Sequence, residues 1–539
     1  MWRGIPRPLV TIPAFMGRIN ILDCTLRDGG YCNKWRFGKN NIVKIIHGLI
    51  DAKIDIIECG FLSNRIKYDE NVTKFRLLNE IDKFIPVHKN KQTFVAMMNY
   101  GEYDADELPP AKDMLLDGIR VAFHKRDLTD ALEVCRKVAL KGYKTYVQAM
   151  VSINYSDGEF LDLIHAVNEL NPEAFYIVDS FGAMKRRDLL RLFFLVEHNL
   201  RSGVKIGFHS HNNLQLAYAN AQTLADLNGN RELIIDSSVY GMGRGAGNLN
   251  TELLVDYLGC NNGGDYDMRP LLNIIDEGLS VFYEKSKWGF TLPNYVSAVH
   301  QTHPNYAKWL EEKSTLTIEN MDDIFNKMAE EKRVSFDADY IQSLYDEYMQ
   351  SGQRQENNRR EFAELLTGKR LLLVGPGKSA VKKRQEIINL ANDDKTLIIS
   401  VNYDYQYCNT NFIFTSNLRR IKNIDKDKLS KTIVTSNISV EGAYMRLSYG
   451  DLLNDVDSVR DNALLMLLKF LQSVDVKEVT LVGFDGYAHD FDENYAEEDM
   501  VISYRTEVLD KINRGMYTVL KQYAERMTIN FLAKPLYWE

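Results

Sequence analysis

The sequence predicts an α/β protein: a (β/α)₈ TIM barrel, a helical region after it, and a second, Rossmann-like α/β domain. Three observations carry this. The length, 539 residues, exceeds what one hydrophobic core usually serves. Eight short apolar runs alternate with amphipathic stretches between residues 19 and 239. A fresh strand pattern begins at Arg370, after a polar, charge-rich stretch.

The eight runs are INILDC (19–24), DIIECGF (55–61), TFVAMM (93–98), GIRVAF (118–123), TYVQAM (145–150), AFYIVDS (174–180), KIGFH (205–209) and LIIDSSV (233–239). Short, apolar, often β-branched runs are how strands buried on both faces read. Between them lie stretches such as NNIVKIIHGLIDA and DGEFLDLIHAVNEL, with apolar residues at three- and four-residue steps. Strand and helix in alternation imply right-handed crossovers and a parallel sheet. Eight units in about 250 residues have the size of a barrel, with an open doubly wound sheet as the alternative. The barrel is expected over 18–265, a helical extension completing its active site over 266–350, a linker over 351–367 and the second domain over 368–539.

Composition narrows the function classes. Lys+Arg is 66 against 74 Asp+Glu, a net charge of −8. A mildly acidic chain is poorly suited to sequence-independent nucleic-acid binding. No apolar stretch is long enough to span a bilayer. Pro6, Pro8 and Pro13 break the N-terminal stretch, which makes a poor signal peptide. Six scattered cysteines without a CxxC pair fit free thiols in the cytoplasm. A homo-oligomer is expected.

Barrel enzymes place their chemistry where strands end. Arg27 and Asp28 follow the first strand, Glu58 lies in the second, and Asp179 and Ser180 close the sixth. His209 and His211 end the seventh, and Asn248 follows the eighth in GMGRGAGNLN. Alternate strand residues share a face, so His209 and His211 can hold one metal, with Asp28 opposite and an amide oxygen from Asn248. That donor set suits Mn²⁺, Mg²⁺, Co²⁺ or Zn²⁺ with positions open for substrate. A 2-keto acid could chelate there, and Arg27 could donate to the enolate oxygen. Singly, each residue has a plainer reading: a satisfied histidine, a loop ion pair, a glycine turn.

LDCTLRDGGY, IIECGF, VDSFG, HSHNN and GMGRGAGNLNTELL together resemble the DRE-TIM metallolyase superfamily, the HMG-CoA-lyase-like or pyruvate-carboxyltransferase-type barrels, over residues 18–340. Within it the chain looks most like the 4-hydroxy-2-oxovalerate aldolases. The resemblance implies a metal-dependent carbon–carbon lyase, Mn²⁺ foremost, acting on a 2-keto acid and an aldehyde. It puts Arg27 at the enolate, Asp28, His209 and His211 on the metal, and matches Glu58 and Asn248 to the family's motifs. Asp179 and Ser180 are read as substrate-binding. The acyl-CoA-using synthases carry RDGEQ where this chain has RDGGY, which argues against a Claisen condensation. An acyl-CoA-dependent synthase and a non-catalytic scaffold remain the alternatives. Where the hydroxy-oxovalerate aldolases have a histidine base, this chain has Tyr31. In WGFTLPNYVSAVHQTH, Tyr295 is the nearest match to a tyrosine that assists proton transfer, or else a packing residue.

LLLVGPGKSA reads as strand, glycine turn, helix. Gly375 and Gly377 would let backbone approach a phosphate, and a tight turn without ligand fits equally. With TLIISVNYDY and EVTLVGFDGY it loosely resembles sialyltransferase-like and motility-accessory-factor domains, which would set Asn402 and Asp485 near a nucleotide. A domain that only organises an oligomer is the competing reading.

Overall fold

In the computed structural model the chain divides into two compact units, residues 1–305 and 306–539. The structure describes residues 17–87, 91–227, 229, 231–261, 264–313, 315–350, 358–497, 500–501 and 506–538. The proline-broken start and residues 351–357 of the expected linker lie outside the described residues.

All eight expected barrel strands form. They are β1 Ile19–Asp23, β2 Ile56–Leu62, β4 Thr93–Asn99, β5 Gly118–Phe123, β6 Lys144–Ala149, β7 Ala174–Asp179, β8 Lys205–Ser210 and β9 Leu233–Ser237. The two-residue β3, Lys74–Phe75, adds to β2 outside the ring. Every pairing is parallel, and the ring closes where Ile19–Asp23 pairs with Leu233–Ser237 and Leu22–Asp23 with Ile56–Ile57. Alternate strand residues serve two cores. Leu22, Ile56, Val95, Tyr146, Tyr176 and Ile234 fill the barrel, and Ile21, Ile57, Phe94 and Val147 meet the helices.

The helices follow from local chemistry. Helix Asp157–Leu170 opens with a capping box, in which Ser156 Oγ accepts from Glu159 N–H and Glu159 Oε2 from Ser156 N–H. It buries Phe160, Leu163, Ile164 and Val167, spaced by three and four, and stops at Asn171 in the left-handed region. Burying each such side chain contributes about 1.5–3 kcal/mol, so Leu163→Ala would cost about 2–5 kcal/mol.

β2 carries a register shift between Glu58 and Phe61 where it meets β4. At the shift Gly60 has φ 151°, and a Cβ there would lie 2.2 Å from the Thr73 carbonyl oxygen, so only glycine fits.

The second unit holds a seven-stranded sheet: β10 Arg370–Val374, β11 Thr396–Val401, β12 Phe412–Thr415, β13 Thr432–Thr435, β14 Met445–Leu447, β15 Glu478–Val482 and β16 Thr528–Phe531. All pairs are parallel, in the order β14-β13-β12-β11-β10-β15-β16. The order reverses between β10 and β15. Helix Ala463–Ser473 is apolar nearly all round and lies in the core.

The domain limits differ from the expected ones. Residues 266–305 pack with the barrel, but 306–350 belong to the second unit, where Tyr345 donates to Asp461 at 2.6 Å. Part of the expected linker is helix Arg359–Leu366, which buries Phe362 and Leu366 one turn apart. Phe362 stacks on Phe470, centroids 5.6 Å apart. Its charged neighbours concealed a two-residue apolar face.

Candidate active site at the barrel mouth

Asp28, His209 and His211 converge as the strand ends predicted. Their ligand atoms lie within 4.8 Å of one another, and all three side chains are buried. Asp28 closes the one-turn helix Thr25–Asp28, which Asp23 anchors by accepting from Thr25 N–H at 2.9 Å and Thr251 Oγ at 2.7 Å. Burial pushes the Asp23 carboxyl up to about 6.

His209 and Asp28 are each oriented by neighbours. His209 Nδ1 lies 2.9 Å from Asp236 Oδ2 on β9, so Nδ1 carries the hydrogen and Nε2 keeps its lone pair. Burial pushes the His211 imidazole down to about 3, which keeps it neutral and fit to ligate. Its Nδ1 is buried without a hydrogen-bond partner, 3.7 Å from Asp28 Oδ2. Burial raises the Asp28 carboxyl, but Arg27 and the two histidines outweigh this and hold it below the ordinary range. Asn248 donates to Asp28 Oδ2 at 2.5 Å, while its own amide oxygen is buried and unpartnered. Orphaned acceptors on Asn248 and His211 beside an ionised carboxylate are the donor set a divalent cation requires. Gly243 makes room: a Cβ there would lie 2.2 Å from Asn248 Nδ2 and 2.9 Å from Asp28 Oδ2.

Arg27 donates from Nη1 to Asp28 at 2.6 Å and from Nε to Glu58 at 2.8 Å. Its Nη2 is buried with no hydrogen-bond partner. Burial opposes the charge, but Glu58 and Asp28 hold the guanidinium firmly protonated. Glu58 pairs in turn with Arg120 Nη1 at 2.9 Å, and Arg120 also pairs with Asp236. The sequence reading did not single out Arg120, Asp236, Arg244 or His303. The signal for the first two was a charge inside an apolar run, in GIRVAF and in LIIDSSV.

Tyr31 stands at the rim, its ring under the Arg244 guanidinium at 4.0 Å. Arg244 Nη1 lies 3.1 Å from His303 Nε2, so the helical extension reaches the mouth through His303. Tyr295 is different: it is 43% exposed, with a ring contact to Phe290. Asp179 accepts from the N–H groups of Ala183 and Met184 at 2.9 and 3.0 Å, and Ser180 Oγ from Val151 N–H at 2.9 Å. Asp179 thus holds its own loop, and Ser180 ties that loop to the one after β6. Burial pushes the Asp179 carboxyl up to about 7.

In the second unit the glycine turn binds protein. A Cβ on Gly375 would lie 2.4 Å from the Gly483 carbonyl oxygen, and one on Gly377 would lie 2.7 Å from Asp485 Oδ2. Asp485 accepts from Ser379 N–H at 2.7 Å, where the turn was expected to receive a phosphate. The glycines let two strand-end loops pack closely. Asn402, in the left-handed region at φ 65°, lines a cavity beside them.

Residues 115–268 match the HMGL-like family, a span that includes His209, His211 and Asn248. The chain is 29% identical over 245 residues to a 4-hydroxy-2-oxovalerate aldolase of Geobacillus genomosp. 3, covering 44% of this chain and 70% of that one. The aldolase of the same name from Roseiflexus castenholzii is 28% identical over 259 residues, covering 46% and 74%. Among solved structures, the N-terminal domain of a candidate aldolase from Bacteroides vulgatus is similar, at 28% identity and TM-score 0.45, over 54% of this chain and 96% of that one. Among the described residues, no helix is long and apolar enough to cross a membrane.

Proposed function

We propose that this HMGL-like lyase or aldolase barrel forms and cleaves a 4-hydroxy-2-oxo acid through a pyruvate-type enolate. A divalent cation, Mn²⁺ foremost, would be held by Asp28, His209 and His211, with the Asn248 amide oxygen as a further ligand. The observation that carries this reading is the unpartnered Arg27 Nη2 on the residue that braces Asp28. When bound, the cation supplies Lewis-acid polarisation of a 2-oxo acid.

The chain's own residues do the rest. Arg27, fixed by Glu58 and Asp28, has one donor left for the enolate oxygen. Phe61, Met97, Ala122 and Met150 form an apolar cluster at the strand ends, suited to the carbon chain of a small aldehyde and to excluding water. Tyr31, three residues past Asp28 and under Arg244, would move the proton. The relatives' name supports a hydroxy-oxo acid of this class.

The test is methyl-proton exchange of pyruvate in D₂O, followed by NMR with Mn²⁺ present. Exchange by the native protein is expected, together with its loss, and loss of bound metal, in His211→Ala. Absence of exchange in metal-loaded native protein refutes the reading. Acetyl-CoA-dependent thiol release in its place would assign the synthase reaction.

A further inference from the structure

Open parallel sheets bind ligands in the crevice outside the strand C-termini where strand order reverses. In the second unit that point lies between β10 and β15, and a cavity of about 420 Å³ sits there. It is lined by the residues after β10, β11, β12 and β15. The volume falls within the range of small-molecule sites, about 300–1,000 Å³.

Its chemistry is divided. On the β11–β12 flank stand Asn402, Asn417 and Asn462. Each has its amide oxygen engaged by the protein, from Thr415 Oγ1, Arg419 N–H and Leu465 N–H respectively. The NH₂ group of each is what remains to offer. Lys313 joins this flank, since the segment after it is tied to Arg419 through the Leu316 carbonyl. Its ammonium lies 4.1 Å from the Trp309 ring centroid and donates to Gln342 at 3.4 Å, with no ion-pair partner among the described residues. Burial disfavours that charge. Glu312, Asp457, Asp461 and Asp485 also line the cavity, but Asp461 accepts from Tyr345 and Tyr449 and Asp485 from Ser379 N–H, so the partly buried ammonium beside the asparagine amides is the part of the lining suited to an anion. The N-terminus of helix Ala463–Ser473, behind Asn462, adds a favourable dipole. On the β15 flank the lining is flat and apolar: Phe484 and Tyr487, with Tyr537 fastened to the Phe484 carbonyl at 2.9 Å. The left-handed backbone of Asn402 marks a strained residue at a strand end, where such strain tends to be functional.

We propose that this cavity binds a nucleoside phosphate, with the phosphate at Lys313 and the asparagine amides and the base against the aromatic flank. The anion site thus lies across the crevice from the glycine turn, whose position Asp485 fills.

The experiment is calorimetric titration of the full chain with the 5′-monophosphates of cytidine, uridine, adenosine and guanosine, the parent nucleosides, and inorganic phosphate. At least one monophosphate should bind with Kd of about 1 mM or tighter. Its nucleoside and phosphate alone should each bind at least about tenfold more weakly. Lys313→Met, which keeps the stem on Trp309, should weaken binding by about tenfold or more, Lys313→Arg should retain it, and pyruvate exchange by the barrel should be unchanged. The proposal is overturned if no monophosphate binds, if nucleoside and monophosphate bind alike, if phosphate alone binds as tightly, or if folded Lys313→Met binds normally.

Discussion

Asp236 is where the metal site can be tested without touching a ligand. Its Oδ2 takes the His209 Nδ1 hydrogen at 2.9 Å and also pairs with Arg120, whose side chain is fully buried. Asp236→Asn keeps the size and can keep an acceptor for His209, but removes the charge that makes the imidazole a stronger donor of electrons. Carboxylates in this position typically contribute about 10–100-fold in metal affinity. Tenfold is about 1.4 kcal/mol, so the expected loss is about 1.4–2.7 kcal/mol. The assay is calorimetric titration of Mn²⁺ into metal-free protein, with circular dichroism to establish that the variant is folded. Glu58→Gln is the comparison: it removes a negative charge of the same sign as Asp236 from beside Arg120 and Arg27 without touching His209. An unchanged Mn²⁺ Kd in folded Asp236→Asn refutes the orientation argument. An equal loss in Glu58→Gln would show that general electrostatics, not His209, sets the affinity.

Four further outcomes are expected. Arg27→Gln should retain Mn²⁺ and lower pyruvate exchange by about 10²–10³-fold, the usual effect of losing one charge-stabilising donor; near-normal exchange would remove Arg27 from the chemistry. Tyr31→Phe should keep metal and slow exchange by about 10²–10⁴-fold, while normal exchange would pass proton transfer to another group, with His303 next in line. Burial holds the Asp179 carboxyl at about 7, so the folded state keeps a proton that the unfolded chain sheds near pH 4. Its contribution to stability therefore falls as pH rises from 4 to 7, and the melting-temperature gap between native protein and Asp179→Asn should narrow over that window; a constant gap contradicts the assignment. Residues 306–539 expressed alone should fold, whereas 368–539 should be insoluble or poorly folded, because it lacks the buried Ile341, Tyr345, Met349 and Phe362; equal stability of the two would restore the boundary expected from the linker composition.

The barrel was legible because its strands are buried on both faces, which compels continuous apolar runs whatever their neighbours. Arg27, Asp28, His209 and His211 were legible for the complementary reason: polar residues directly after such runs have one place to go, the mouth. Arg120 and Asp236 were harder. They are 116 positions apart, and a lone charge in a strand acquires a partner only when the ring is closed. Tyr295 lies on helix Leu292–Val299 and His303 in the short link before helix Pro304–Glu311, and which of them turns inward depends on packing that periodicity does not carry. In the second unit, β14 and β16 are three- and four-residue strands, MRL and TINF, too short to show a pattern. Phe362 and Leu366 were masked by the charges around them.

The buried charges explain one another when followed in order. Asp28 pairs with Arg27, Arg27 with Glu58, Glu58 with Arg120, Arg120 with Asp236, and Asp236 with His209, which returns to Asp28 at the metal position. The circuit crosses the barrel through β2, β5, β9 and β8. Taking five ions out of water costs several kcal/mol each before their mutual attraction is counted, and apolar residues of the same volume would often serve stability as well. Stability is therefore a weak reason for this arrangement. Within the circuit three carboxylates face two guanidinium groups, and Arg244 adds a positive charge at the mouth that also acts on Asp28. On the proposed reading, a divalent cation held at Asp28, His209 and His211 would make the mouth more positive and so favour the carboxylate of a 2-oxo acid. What the alternation of signs does is fix the orientation of Asp28 through Arg27 and of His209 through Asp236, the two ends of the circuit that meet where a metal would sit.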